Sequence, residues 1–311
     1  MLDVISKTFF HMLAGSRTAE RLATRYGMTR PKSFGRRFIA GETLDEAIAA
    51  ARAIQSQGMS VTLDQLGESV KTLSAADAAT RGYLDMIAAI VGSSVERNIS
   101  IKLSQLGLTT DRAVCTDNVR RILEAGGPLG FFVRIDMEDS PTVASTLQIV
   151  DTLWEHGCRQ LGVVLQSALR RSEEDARALN AKGIRIRLVK GAYKEPKTVA
   201  YQRKADVDAA FQRIMEVLLR EGTFPAIATH DPVLIDATKR CAADHGIARD
   251  RFEFQMLYGI RRDLQTALVA EGYGLRLYVP YGRQWFPYFM RRLGERPANV
   301  GFVLRALIRD R

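Results

Sequence analysis

Ile184-Arg185-Ile186-Arg187-Leu188-Val189-Lys190-Gly191-Ala192-Tyr193 is an apolar run that carries cations and stops at a Gly-Ala step. Its β-branched and apolar residues predict a buried strand, 184–189, ending where backbone and positive charge can approach a ligand. Cations at such a strand end are costly to desolvate unless an anion or an electron-rich group receives them. Taken alone, the segment reads equally as an exposed strand end with solvated basic side chains. The choice rests on what surrounds it.

Similar short runs lie on both sides: 60–64, 99–103, 131–136 and 161–165 before it, then 225–229, 252–255 and 275–279 after it. Helical periodicities separate them, notably 74–97, 139–157, 197–222 and 258–271, with Asp111, Ser140, Ser172 and Asp231 as expected helix starts. Eight strands alternating with helices, and no long linker, predict an α/β chain folded as one TIM-like (β/α)8 barrel. A doubly wound open sheet is the competitor. It lacks support, because no G-x-G-x-x-G follows a strand; Gly126, Gly127 and Gly130 precede one. Residues 1–58 read as an N-terminal helical extension and 59–311 as the barrel.

A chain of 311 residues with 46% hydrophobic content has material for such a core. Cys115, Cys158 and Cys241 are widely spaced, which points to a reducing, cytoplasmic setting and away from a disulfide framework or zinc site. His11, His156, His230 and His245 form no metal-binding pattern, so no metal is expected. No apolar stretch approaches the roughly 20 residues of a membrane helix. Residues 4–13 are apolar enough to meet a membrane surface or, equally, to cap the barrel. The first 30 residues are rich in Arg, Ser and Thr, yet Asp3 and Glu20 favour an ordinary helix over a transit peptide. The net charge of +10 raises nucleic acid as a partner. Against it, six arginines and only two acids sit in 285–311, and aromatics are not interleaved with basic residues.

In a barrel the chemistry belongs at the C-terminal strand ends. Those ends supply Asp64 and Glu68, Lys102, Asp136, Gln166, Arg187 with Lys190, Thr229 with His230, Gln255, and Tyr278. Each has a plain alternative: Asp136 as a helix cap, Lys102 along the rim, His230 as a turn residue before an N-cap, Tyr278 as a rim aromatic. Loops are polar anyway, so any single member is weak. Eight in register suit an anionic or zwitterionic ligand. After Val279-Pro280-Tyr281-Gly282, Tyr288 shares a helix face with Arg291 and Arg292. Two adjacent guanidiniums call for a carboxylate or phosphate, unless they are a solvated helix end.

R-L-V-K-G-A-Y at 187–193, F-E-F-Q-M-L-Y-G at 252–259, Y-V-P-Y-G at 278–282 and Y-x-x-R-R-L-x-E-R-P-A-N at 288–299 resemble proline dehydrogenase, in its short monofunctional bacterial form. The resemblance spans roughly 59–300. It implies a distorted barrel with its last helix over the mouth, binding FAD without a Rossmann fold. It further implies oxidation of L-proline to Δ1-pyrroline-5-carboxylate, the first step of proline degradation to glutamate, with electrons passed to a quinone at the membrane. By motif, Arg187 approaches the flavin N5, and Met137, Gln166, Lys190, Gly191, Ala192, Thr229 and His230 contact the cofactor. Lys102, Arg291 and Arg292 hold the substrate carboxylate, while Asp136, Tyr278, Tyr288 and Leu257 shape the pocket. The family often carries an aromatic and an acid after the tyrosine of the first motif. Lys194-Glu195-Pro196 stand there instead, which leaves the local cofactor contacts open.

The chemistry fits the residues. Three cations can fix a carboxylate, a cation beside a flavin favours the charge that builds on reduction, and Asp136 can assist electrostatically as the amine loses its proton. Glu68 has the reach and sign to pair with Arg291 as a gate over bound substrate. Two alternatives stand beside this reading: the same oxidation on hydroxyproline, which the bulk of Tyr278 disfavours, and Schiff-base lyase chemistry on Lys190.

Overall fold

Eight parallel strands close into one barrel in sequence order, with β8 returning to pair with β1. The computed structural model describes residues 35–67, 69–286, 288 and 290. Its strands are β1 (Ser60–Gln65), β2 (Asn98–Lys102), β3 (Phe132–Asp136), β4 (Leu161–Gln166), β5 (Arg185–Val189), β6 (Ala226–Ala228), β7 (Glu253–Leu257) and β8 (Gly274–Tyr281). A helix precedes β1, namely α1 (Leu44–Gln55), and one follows each of the first seven strands. These are α2 (Leu73–Val91), α3 (Arg112–Gly126), α4 (Ser140–Glu155), α5 (Ser172–Ala181), α6 (Lys204–Glu221), α7 (Pro232–Asp244) and α8 (Arg262–Ala270). The expected barrel is the observed one.

The two faces of each strand explain the barrel's chemistry. Val61 and Leu63, Ile99 and Ile101, Val133 and Ile135, and Ile186 and Leu188 are buried in the shell between strands and helices. The alternate positions therefore turn to the lumen, and they are Thr62 and Asp64, Ser100 and Lys102, Arg134 and Asp136, and Arg187. Branched aliphatic residues are the usual filling of such a lumen. Here it is polar and charged, and most of its charged groups pair with one another, while Asp64 Oδ2, Arg134 Nε and Arg187 Nε have no hydrogen-bond partner among the described residues. In the lower tier Arg276 Nε donates to Glu253 Oε1 at 3.0 Å and its Nη1 to Val61 O at 2.7 Å, while Arg134 Nη1 donates to Arg185 O at 2.7 Å. Gly162 makes room for Arg134: a Cβ there would lie 2.6 Å from its Nη1.

Helix α1 lies within the 1–58 stretch and packs on both β1 and β8. Its start is set by a capping box, in which the Thr43 side chain accepts from Glu46 N and the Glu46 side chain accepts from Thr43 N. Ala47, Ile48, Ala51 and Ile54, spaced for one helical face, join the barrel's apolar shell. The segment before it clasps the far end of β8, through Ala40 N to Pro280 O at 2.9 Å and Gly282 N to Gly41 O at 3.0 Å.

Several boundaries differ from the sequence expectation. Ser140 and Ser172 lie one residue inside their helices; Asp139 and Arg171 hold the cap positions. Asp111 and Asp231 cap as expected, their carboxylates accepting from Val114 N and Val233 N at 3.1 Å. The helical stretch expected from 197 begins at Lys204, because residues 190–203 form an irregular loop over the mouth. Strand β7 runs on to Leu257, so Gln255 sits two residues below the strand end. There it donates to Glu253 instead of facing the mouth.

Candidate active site

Lys102, Asp136, Arg187 and Tyr278 converge at the C-terminal end of the lumen. The Lys102 ammonium, with its stem along β2, spends its three N–H groups on Asp64 Oδ1 at 2.8 Å, Tyr278 OH at 2.9 Å and Asp136 Oδ2 at 3.2 Å. Tyr278 in turn donates to Asp136 Oδ2 at 2.8 Å. Arg187 Nη1 donates to Asp136 Oδ1 at 2.9 Å and its Nη2 to Ser100 Oγ at 3.1 Å. The register brings these groups level, since Lys102 pairs with Asp136 and Leu257 with Tyr278.

Low dielectric sharpens every charge here. Burial pulls the Lys102 ammonium's pKa down, but Asp64, Tyr278 and Asp136 more than offset it and hold it well above the ordinary lysine value. Asp64 is pushed up to about 6, because its complete burial, with Asp136 nearby, outweighs Lys102. Burial likewise raises the Tyr278 phenol, to which Asp136, Asp64 and the buried Tyr288 add. Lys102 therefore stays an ammonium and Tyr278 a neutral hydrogen-bond donor across the working pH range.

A second group lines the mouth between β4 and β7. Gln166 ends β4 and donates from Nε2 to Glu138 O at 2.7 Å. Gly191 has φ +109°, and a Cβ there would stand 2.9 Å from Gln166 Oε1, so only glycine leaves this edge open. Ala192 is exposed beside it, and Met137 and Thr229 are buried beneath the rim. His230 Nε2 accepts from Leu257 N at 2.9 Å, which puts the ring proton on Nδ1. Lys190 lies between Asp208 at 2.6 Å and Asp231 at 2.8 Å. Two carboxylates hold its ammonium, whereas Schiff-base chemistry needs the free amine.

Glu195, where the family pattern is broken, accepts from Ser140 N at 2.8 Å and so caps α4. That contact anchors the irregular loop to the barrel. Glu68, Arg291 and Arg292 lie outside the described residues; Tyr288, from the same motif as the arginine pair, is buried. Sequence reasoning named Asp64 among the strand ends without a role, and it missed Ser100, Glu138 and Asp208. Asp64, Ser100 and Glu138 are polar residues in or just beyond strands and Asp208 lies in the first turns of α6, so their partners emerge only from the tertiary fold.

These residues fit a flavin. The Arg187 guanidinium is nearly fully buried and its Nε has no hydrogen-bond partner among the described residues, so it retains donor capacity within the lumen. At Gly191 the absence of a Cβ keeps the backbone beside Gln166 approachable, as a bound cofactor would need.

The sequence model of the family described as proline dehydrogenase matches residues 47–305. The chain is 39% identical over 307 residues to proline dehydrogenase 2 of Bacillus subtilis (strain 168), covering 98% of this chain and 99% of that protein. It is 43% identical over 277 residues to a proline dehydrogenase of Deinococcus radiodurans, covering 88% and 89%. Among solved structures it is similar to proline utilization A from Bdellovibrio bacteriovorus inactivated by N-propargylglycine, with a TM-score of 0.77 at 26% identity. That likeness covers 83% of this chain and 32% of the larger protein.

Proposed function

The chain belongs to the proline dehydrogenase family and oxidises L-proline to Δ1-pyrroline-5-carboxylate, the first step of proline degradation, and we propose that it does so with bound FAD and a quinone as electron acceptor. The observation that carries the site assignment is the convergence of Lys102, Asp136, Arg187 and Tyr278 through direct hydrogen bonds at the barrel mouth.

FAD, when bound, supplies the acceptor for the hydride that leaves the ring carbon beside the amine. Arg187, Gln166, Lys190, Gly191, Ala192, Met137, Thr229 and His230 are the residues that would hold it. Arg187 places positive charge where negative charge accumulates on reduction. Lys102, with Arg291 and Arg292, receives the substrate carboxylate, a handle that fixes the ring's orientation. Tyr278, Tyr288 and Leu257 wall the ring and exclude water. Asp136 presents its carboxylate to the amine and favours the cationic character that develops on nitrogen as hydride departs.

The reading places the catalytic unit in 59–311 with 1–58 as a helical extension. The protein works in the cytoplasm, peripheral to the inner face of the membrane where quinone resides. No described helix is long and apolar enough to cross a membrane. Release of the cofactor by heat and its chromatographic identification tests the FAD assignment, which recovery of FMN or of no flavin refutes. Comparison of kcat/KM for proline and 4-hydroxyproline tests the pocket: Tyr278 predicts a preference for the unsubstituted ring.

A further inference from the structure

Asp64 ends in the lumen with no solvent exposure at all. Its Oδ1 lies 2.8 Å from Lys102 Nζ, and its Oδ2 has no hydrogen-bond partner among the described residues. A buried carboxylate with one oxygen unsatisfied is an expensive feature to keep unless the charge does something. The two other acceptors around Lys102 are each shared. Asp136 also receives Arg187 and Tyr278, and Tyr278 is bonded to Asp136. Asp64 makes its direct hydrogen bond to Lys102, with the Tyr278 hydroxyl close enough to its carboxylate to favour the charged form as well. The register also separates them: Asp64 pairs with Ser100, two residues before Lys102, so it reaches the ammonium from the tier below.

Lys102 has no spare N–H group for a ligand, since all three are engaged. Binding a substrate carboxylate therefore requires that bonds to the mouth-side partners be exchanged. We propose that Asp64 is a positioning residue for proline binding, anchoring the Lys102 ammonium from below while its other two N–H groups turn from Asp136 and Tyr278 to the substrate carboxylate. The inference rests on the reading of Lys102 as a carboxylate-binding residue.

The charges around the ammonium decide what losing this anchor does. Asp64 comes from β1, Asp136 from β3 and Tyr278 from β8, with Tyr83 of α2 behind them and Tyr281 of β8 beside Asp64. Among these groups Asp64 contributes most to keeping Lys102 protonated against complete burial. Asp136 must also serve Arg187, so it cannot replace Asp64 as the dedicated partner. Without Asp64 the desolvation of Lys102 is opposed by one carboxylate only, and the ammonium loses its proton at lower pH.

The test is a cycle of Asp64→Asn, Lys102→Met and the double variant, each as the holoenzyme, with proline KM and kcat measured from pH 7 to pH 9. Asp64→Asn is expected to raise KM progressively with pH, reaching about tenfold at the alkaline end, with a much smaller change in kcat. Lys102→Met raises KM at every pH, and adding Asp64→Asn to it changes nothing further. The double variant removes both buried charges, so it reports even if the lone Asp64→Asn fails to fold. A KM for Asp64→Asn equal to that of the unaltered protein at all pH values overturns the proposal. So does a further rise in the double variant over Lys102→Met, which means Asp64 acts other than through the lysine. An unchanged KM in Lys102→Met instead removes the carboxylate reading itself.

Discussion

Arg187 Nη1 donates to Asp136 Oδ1 at 2.9 Å, so a cation of β5 and a carboxylate of β3 meet across the lumen. On the function proposed above, the pair divides the work: Arg187 would meet the charge that builds on reduction and Asp136 the substrate amine. Changing Arg187 to Met removes the cation and lowers the bound flavin's potential by about 30 mV, the equivalent of a tenfold shift in a two-electron equilibrium. Spectroelectrochemical titration of the variant reads this directly; an unmoved potential means the assigned role is wrong.

Gly191 tests the cofactor edge. Its φ of +109° strains any L side chain, and a Cβ there would stand 2.9 Å from Gln166 Oε1, which would have to shift. Gly191→Ala therefore strains the backbone by about 1–2 kcal/mol and weakens flavin retention roughly tenfold. Flavin content after dialysis checks this, and full retention contradicts it.

Far from the chemistry, Glu253 tests the lower tier. Burial acts to raise its pKa, but Arg276 outweighs that and holds the carboxyl below its ordinary value. A depressed acid stabilises the fold above its unfolded pKa, about 4.3, and loses that contribution as pH falls through the lower folded value. Glu253→Gln leaves Arg276 with Glu96 as its remaining ion-pair partner, beside the buried Arg134, and lowers stability by about 3 kcal/mol at neutral pH. Urea unfolding at several pH values should give a flatter acid limb for the variant. An identical limb sinks the assignment.

Glu68 follows β1 in the sequence and lies outside the described residues, as does Arg291, the arginine it is expected to meet. Glu68→Gln should raise the proline KM about tenfold, the scale of one lost, partly buried ion pair. An unchanged KM ends the gating idea.

The barrel was legible because period-2 apolar runs and intervening helical faces repeat eight times, and each run landed within two residues of an observed strand. The candidate site was legible where a charge falls at or near a strand end, as at Lys102 and Asp136, with Arg187 two residues before the end of β5. Gln255 misled, since β7 continues past it and turns it downward to Glu253. Ser140 and Ser172 misled as caps because a serine at the first helical position is chemically indistinguishable from one at the cap. Asp64 was visible as a polar strand end, but its hydrogen bond to Lys102 depends on the β1–β2 register, which no local pattern encodes.

The most direct test of the account is the visible spectrum of the purified protein before and after L-proline is added without oxygen. An oxidised-flavin band that proline bleaches is the predicted result. A colourless protein, or a flavin that proline leaves oxidised, contradicts it.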